Sequence, residues 1–430
     1  MKKQKKLFIF SGIVICLITI TLVIINFVNS DNVIYESDNA NAGDNRVISS
    51  NALTMMYETE AGSGEYTVAS DNTWPQDGYV FNERLSSCEN GSSLTWDDER
   101  KAVILSTTVS DRCYVYFDVE VITLADYIIN EVYTGTDGEN GLYYHDADLA
   151  NGAQDNSYRY SGANPNNYVC FGPGSEAEGT CANDNLYRII GLFDDDGDGT
   201  YQVKLIKADY TTSGMLGTDG RDYYGTYNYS TSDYKGNMDT STIAGYRWNY
   251  DTSVSSSGSN NWTTSEFNTI NLNTNYWNYL GSTWQNLIAP TTWHLGGMTS
   301  SSNRAKVFYD GERDNAGYGS NPTTYTDEIG LMYPSDYGYA ASPDAWATNL
   351  GSYDNSTITA NNWMYMGLYE WTITPYSSSS ASVFYVYNSG YLGDYSAHLG
   401  YAARPVFYLE SNVALQGGSG TSSDPYRLAV

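Results

Sequence analysis

Carboxylates, histidines and cysteines are the side chains here whose spacing invites chemistry. Asp194, Asp196, Asp198 and Gly199 match the D-x-D-x-D-G opening of a calcium loop. Position twelve of that loop is Leu205, where a bidentate glutamate is required. Strongly apolar segments flank the stretch, so an acidic hairpin turn is the favoured reading and a calcium site the alternative. His145, His294 and His398 are the three histidines, and no pair has metal-ligand spacing, which makes them packing or surface residues. Cys16 sits in an apolar run, and Cys88, Cys113, Cys170 and Cys181 lie beyond it. Four cysteines allow three pairings, and proximity along the chain favours Cys88–Cys113 and Cys170–Cys181. An even count leaves no thiol for nucleophilic catalysis. A glycosidase needs only two carboxylates, and the sequence does not single out a pair among its 50 acids. No cofactor is expected apart from the calcium alternative.

The segment between Trp371 and Gly400 carries a different kind of chemistry. Its 28 residues include five Tyr and seven Ser, with no Lys or Arg. Tyrosine offers rigid amphipathic contact area, while small polar residues adapt to a partner, the combination that antibody loops use. The expected ligand-facing residues are Tyr376, Ser377, Ser379, Tyr385, Tyr387, Asn388, Tyr391, Asp394, Tyr395 and His398.

Trp371 and the later Gly400-Tyr401-x-x-Arg404-Pro405-Val406 resemble the C-terminal end of the C-type-lectin-like fold. The resemblance is to the version found in formylglycine-generating-enzyme-like domains and bacterial surface proteins, including the variable proteins diversified by retroelements. Ser265-x-Phe267, Leu272-Asn273 and Tyr276 resemble a helix of related surface domains, and 417–428 resembles a recurrent ending. The resemblance covers residues 143–428 and implies a lectin-like fold presenting a variable ligand-binding surface, with Trp371, Gly400, Arg404 and Pro405 as the scaffold beneath it. It does not carry over a reaction, because Cys170 and Cys181 lie far upstream of the position of that enzyme's active-site cysteines.

These residues need elements to position them. Short alternating segments over 54–58, 65–68, 78–82, 94–96, 101–107 and 112–117, separated by Gly, Pro and Asn turns, predict a small all-β, sandwich-like spacer. Beyond it, 122–133 has helical apolar spacing. Strands are expected at 158–161, 168–171, 186–193, 201–208, 306–309, 328–333 and 403–409. A capping box at Thr263–Glu266 predicts a helix through 280, with a further helical turn over 284–288. The expected fold class is therefore α+β.

Residues 7–28 form a run of 22 without charge, preceded by Lys2, Lys3, Lys5 and Lys6 and followed by no Lys or Arg before Arg46. Such a run spans about 33 Å as a helix, enough for a bilayer core of about 30 Å. Lysines on one side orient the N-terminus inward. The expected organisation is a cytoplasmic tip and transmembrane signal-anchor over 1–30, a flexible stalk over 31–50, a disulfide-bonded β domain over 51–119 and a lectin-like ligand-binding domain over 120–430. The exposed part carries 17 basic against 50 acidic residues, a charge near −33 that repels nucleic acid. Its aromatic content argues against disorder. The function expected is that of a membrane-anchored extracellular protein, adhesin- or receptor-like, binding a protein or glycan ligand. A structural surface protein, or a surface glycan-active enzyme, are the alternatives.

Overall fold

The computed structural model describes residues 33–36, 53–60, 62–69, 78–97, 102–106, 111–175, 181–195 and 197–430. Two compact units divide the chain, one up to Val121 and one from Ile122 to Val430.

The first unit is all-β. A three-stranded sheet has the order Val33–Glu36, Ala102–Ser106, Ser93–Asp97. A second sheet has the order Tyr66–Val68, Leu53–Glu58, Cys113–Val119, Tyr79–Phe81, with Ser87–Cys88 also paired to Cys113–Val119. Period-two alternation sets the core: Cys113, Val115 and Phe117 are buried, while Tyr114, Tyr116 and Asp118 face partly outward. Val103 of one sheet joins Met55, Val115 and Phe117 of the other in a small cluster. Val33–Glu36 falls inside the stretch expected as a stalk, yet it pairs in parallel with Val103–Ser106.

The second unit is built on a nine-stranded sheet. Its path runs Ile288–Ala289, Val406–Leu409, Gln202–Lys207, Leu186–Phe193, Tyr168–Cys170, Tyr426–Leu428, Leu415–Gly417, with Tyr158–Tyr160 and Leu142–Tyr144 joined beside Leu186–Phe193. Seven of the eight residues of Leu186–Phe193 are buried, which matches its mostly apolar sequence, and the buried Arg188 that interrupts it donates to Asn167 Oδ1. The strand bulges between Ile189 and Gly191. A Cβ at Gly191 would lie 2.4 Å from the Tyr158 carbonyl oxygen, so only glycine lets Tyr158–Tyr160 approach. Smaller sheets surround this one, among them the antiparallel Glu370–Pro375, Ser382–Val386, Leu392–Ser396.

The α+β expectation is corrected: the molecule is mostly sheet, 30% against 20% helix, and its longest described helical elements, Phe267–Tyr276 and Ala305–Asp314, have ten residues. Ser, Thr, Asn and Gly are poor helix interiors. Phe267–Tyr276 is accordingly a wide π-type turn, held through its side chains: Asn271 donates to Leu216 O and Asn273 to Ile329 O. Its N-terminus is capped by Ser265, which accepts from Asn268 N, and not by Thr263 with Glu266. Glu266 instead accepts from Arg221 N.

Two strand expectations also change. Residues 306–309 lie in the helix Ala305–Asp314, where Ala305, Phe308, Gly311 and Glu312 form the buried face. The strand expected at 328–333 is displaced to Thr324–Asp327, and Gly330 makes only an isolated bridge to Val406. Among the described residues no helix is long and apolar enough to cross a membrane, and the span expected at 7–28 lies outside them.

Cys88–Cys113 and Cys170–Cys181 are both bonded, the pairings that chain proximity favoured. The first closes 25 residues in a unit with a small core. Replacing Cys88 and Cys113 together by Ser is expected to remove about 3 kcal/mol from that unit. Calorimetry should show the transition of the N-terminal unit lowered and that of the C-terminal unit unmoved.

Candidate functional site

The sheet Glu370–Pro375, Ser382–Val386, Leu392–Ser396 sorts its side chains by alternation. Register places Trp371 opposite Tyr385, Tyr385 opposite Gly393, and Val383 opposite Tyr395. These residues share one face. Phe384, Val386 and Leu392 occupy the other face and are buried in the core.

On the first face six tyrosines form a continuous layer. Tyr401 lies on Trp371 with ring centroids 4.5 Å apart, and Tyr385 and Tyr369 lie 4.9 and 5.2 Å from Tyr401. Tyr369 meets Tyr387 at 4.6 Å, and Tyr387 stacks on Tyr391 at 4.5 Å. Tyr229 packs against both Tyr369 and Tyr401. Tyr395 shares this face by strand register and is 53% exposed. Tyr229, Tyr369, Tyr387 and Tyr391 are half-buried. Burial, reinforced by neighbouring phenols, raises the pKa of Tyr369, Tyr385 and Tyr391. Their hydroxyls therefore stay neutral at physiological pH and offer both donor and acceptor.

The ten residues expected to face a ligand do not form one patch. Tyr385 is corrected: it is only 5% exposed, because strand alternation turns it beneath Tyr401. Tyr376, Ser377 and Ser379 sit in the turn at one end of Ser382–Val386, and Tyr387, Asn388 and Tyr391 sit in the turn at the other. A five-residue strand separates those ends by about 15 Å. Asp394 lies opposite Phe384, on the face away from Tyr395. The His398 ring contacts Ser257 O at 3.1 Å. What the fold brings together is Tyr387 and Tyr391, joined by Tyr369 and Tyr229, which lie outside the segment the sequence pointed to, while Tyr395 stands on the same sheet face.

Trp371, Gly400, Arg404 and Pro405 are buried. Trp371 Nε1 donates to Tyr246 O at 2.7 Å. Arg404 binds Glu370 through two contacts, Nε to Oε1 at 2.7 Å and Nη2 to Oε2 at 3.0 Å, and Nη2 also donates to Met364 O. Pro405 O accepts from Lys207 N. A Cβ on Gly400 would lie 2.1 Å from the Tyr224 ring.

The calcium alternative finds a closed turn. Asp194 accepts from the N–H groups of Gly197, Asp198 and Gly199, and Asp198 accepts from Thr200 N. Asp196 lies outside the described residues. Among the described residues Cys88, Asp111 and Cys113 are the one metal-spaced group, and there the sulfurs are bonded to each other. His145 is fully buried between Tyr339 and Trp346 and accepts from Ala153 N through Nδ1. Burial holds its pKa well below the usual histidine value, so it is neutral. Two surface cavities of about 310 Å³ each are present, one at Asn140–Gly141 and 161–166, the other at Asp251, Tyr318 and Asn321. Asp251 is the one carboxylate lining either, so neither assembles paired acids.

Sequence reasoning missed a buried charge cluster. Lys204 meets Asp336 at 2.6 Å, and Arg159 meets Asp155 at 2.5 Å and Asp336 at 3.7 Å. Glu312, fully buried, accepts from Ser335 N and Oγ. The available signal was a Lys and an Arg inside otherwise buried strands.

Glu370→Gln leaves the Arg404 charge buried without a counter-ion and is expected to cost about 3–5 kcal/mol in chemical denaturation. Glu312 yields a pH effect. Burial pushes its carboxyl up to about 7, so the folded chain holds a proton that the unfolded chain has released. Stability from this group is complete below the ordinary glutamate range and falls as pH rises toward 7, by about 3 kcal/mol at most. Glu312→Gln should flatten that part of the stability–pH curve relative to the parent protein, as followed by denaturant midpoints.

Comparison with family models, curated proteins and solved structures finds no match to this chain.

Proposed function

We propose that this chain is a cell-surface binding protein, adhesin- or receptor-like, whose C-terminal unit meets an extracellular protein or glycan through its tyrosine layer. The observation that carries the reading is the layer itself: Tyr229, Tyr369, Tyr387 and Tyr391, with Tyr395 on the same sheet face, present partly exposed rings from a buried Trp371–Arg404 frame. Rigid aromatic side chains lose little conformational entropy on contact, and tyrosine is enriched among residues that dominate binding energy. A layer of rings already stacked on one another is organised before a ligand arrives. The resemblance to C-type-lectin-like bacterial surface domains belongs to this proposal, since it assigns the same end of the chain to recognition.

Two disulfides support a location outside the cytoplasm, where such bonds persist. The acidic surface disfavours nucleic acid as the partner. The proposal places the protein at the cell membrane with both units on the outer side.

Screening the chain against immobilised glycans and extracellular proteins provides the test. Tyr387→Ala, Tyr391→Ala and Tyr395→Ala combined should weaken the selected interaction at least about 100-fold. The melting temperature should move by no more than about 3 °C. Tyr401→Ala, which opens the packing over Trp371, should instead cost about 3–5 kcal/mol of stability. Undiminished binding by the triple variant would remove the tyrosine layer as the contact surface.

A further inference from the structure

Lys204 lies in the strand Gln202–Lys207 of the nine-stranded sheet, and Asp336 lies in the helix Pro334–Tyr339. They are 132 residues apart in sequence, yet Nζ of Lys204 is 2.6 Å from Oδ2 of Asp336. Their side chains are 1% and 2% exposed. Rings of Tyr333, Tyr408, Phe193 and Trp293 surround the amine, with centroids 4.4 to 5.8 Å from Nζ. Asp336 is its one hydrogen-bond acceptor among the described residues. Burial lowers the Lys204 pKa, even though the Asp336 charge opposes that shift. Moving one proton from the amine to the carboxylate removes two charges from a dry site, and the products are a free amine touching a carboxylic acid. Arg159 is not orphaned by this transfer, because it keeps Asp155 at 2.5 Å.

We propose that Lys204 and Asp336 condense into an intramolecular amide that ties the central sheet to the helix Pro334–Tyr339. Nζ attacks Cγ of the Asp336 acid and forms the C–N bond. Negative charge developing on Oδ1 faces Arg159, whose Nη1 is 3.7 Å away. The Cγ–Oδ2 bond then breaks. Oδ2 leaves as water, carrying the acid proton and one proton from the attacking nitrogen. One amide and one water account for every atom, and no oxidant or reductant takes part. Exclusion of solvent from the cage favours the step that expels water and protects the amide from hydrolysis. This crosslink is independent of the binding role proposed above.

Peptide mapping of the whole chain by mass spectrometry is the test. The unfolded protein, digested with trypsin and chymotrypsin, should yield a branched peptide joining Lys204 to Asp336, one water lighter than its two linear parts. Cleavage after Lys204 should be absent. Lys204→Arg should restore both linear peptides at full mass and raise the intact mass by one water beyond the substitution itself. A linear peptide ending at Lys204, together with an unmodified Asp336 peptide, recovered from the parent protein would overturn the proposal. The parent map decides the question even if the variant does not fold.

Discussion

A guanidinium with no water around it must find its hydrogen bonds in the protein, and Arg404 makes three, from Nε and Nη2 to Glu370 and Met364, while its Nη1 meets no acceptor among the described residues. That requirement joins two sheets. Glu370 opens the strand that carries Trp371, and Arg404 stands two residues before Val406–Leu409 in the nine-stranded sheet. With the pair in place, Trp371 N–H reaches Ala402 O, and Tyr401 lies across the indole. Tyr385 and Tyr369 then rest on Tyr401. The tyrosine layer is thus the outermost consequence of one buried charge pair, and its rings are fixed from beneath instead of by one another alone.

Much of this arrangement is visible in the residue pattern. The mostly apolar segment at 186–193 and the alternation at 113–119 each read as strands, because burial on two faces or on one writes itself into side-chain type. Cysteine pairing follows where two bonded partners are near in sequence. Trp371 and Arg404 stand out for another reason. The resemblance to C-type-lectin-like domains is what marks them as a frame, and composition alone would not single them out.

What the sequence hides is direction and distance. Tyr385 and Tyr387 differ by two residues and by type not at all, yet one is covered by Tyr401 and the other is half-open. Only the path of residues 400–402 over the strand distinguishes them. The helix Ala305–Asp314 was read as a strand because four residues were too few to show that Phe308 and Glu312 share a buried side with Ala305. The cluster of Lys204, Arg159, Asp336 and Glu312 draws on four separate elements. No local pattern announces it, and each residue taken alone looks like a surface charge.

The first and last segments of the C-terminal unit are laced together, with Leu124 N–H on Val413 O and Leu415 N–H on Ile122 O. The chain therefore enters this unit beside its closing strands. A unit with neighbouring ends behaves as a cassette: it can be grafted into a loop of an unrelated scaffold without stretching either junction.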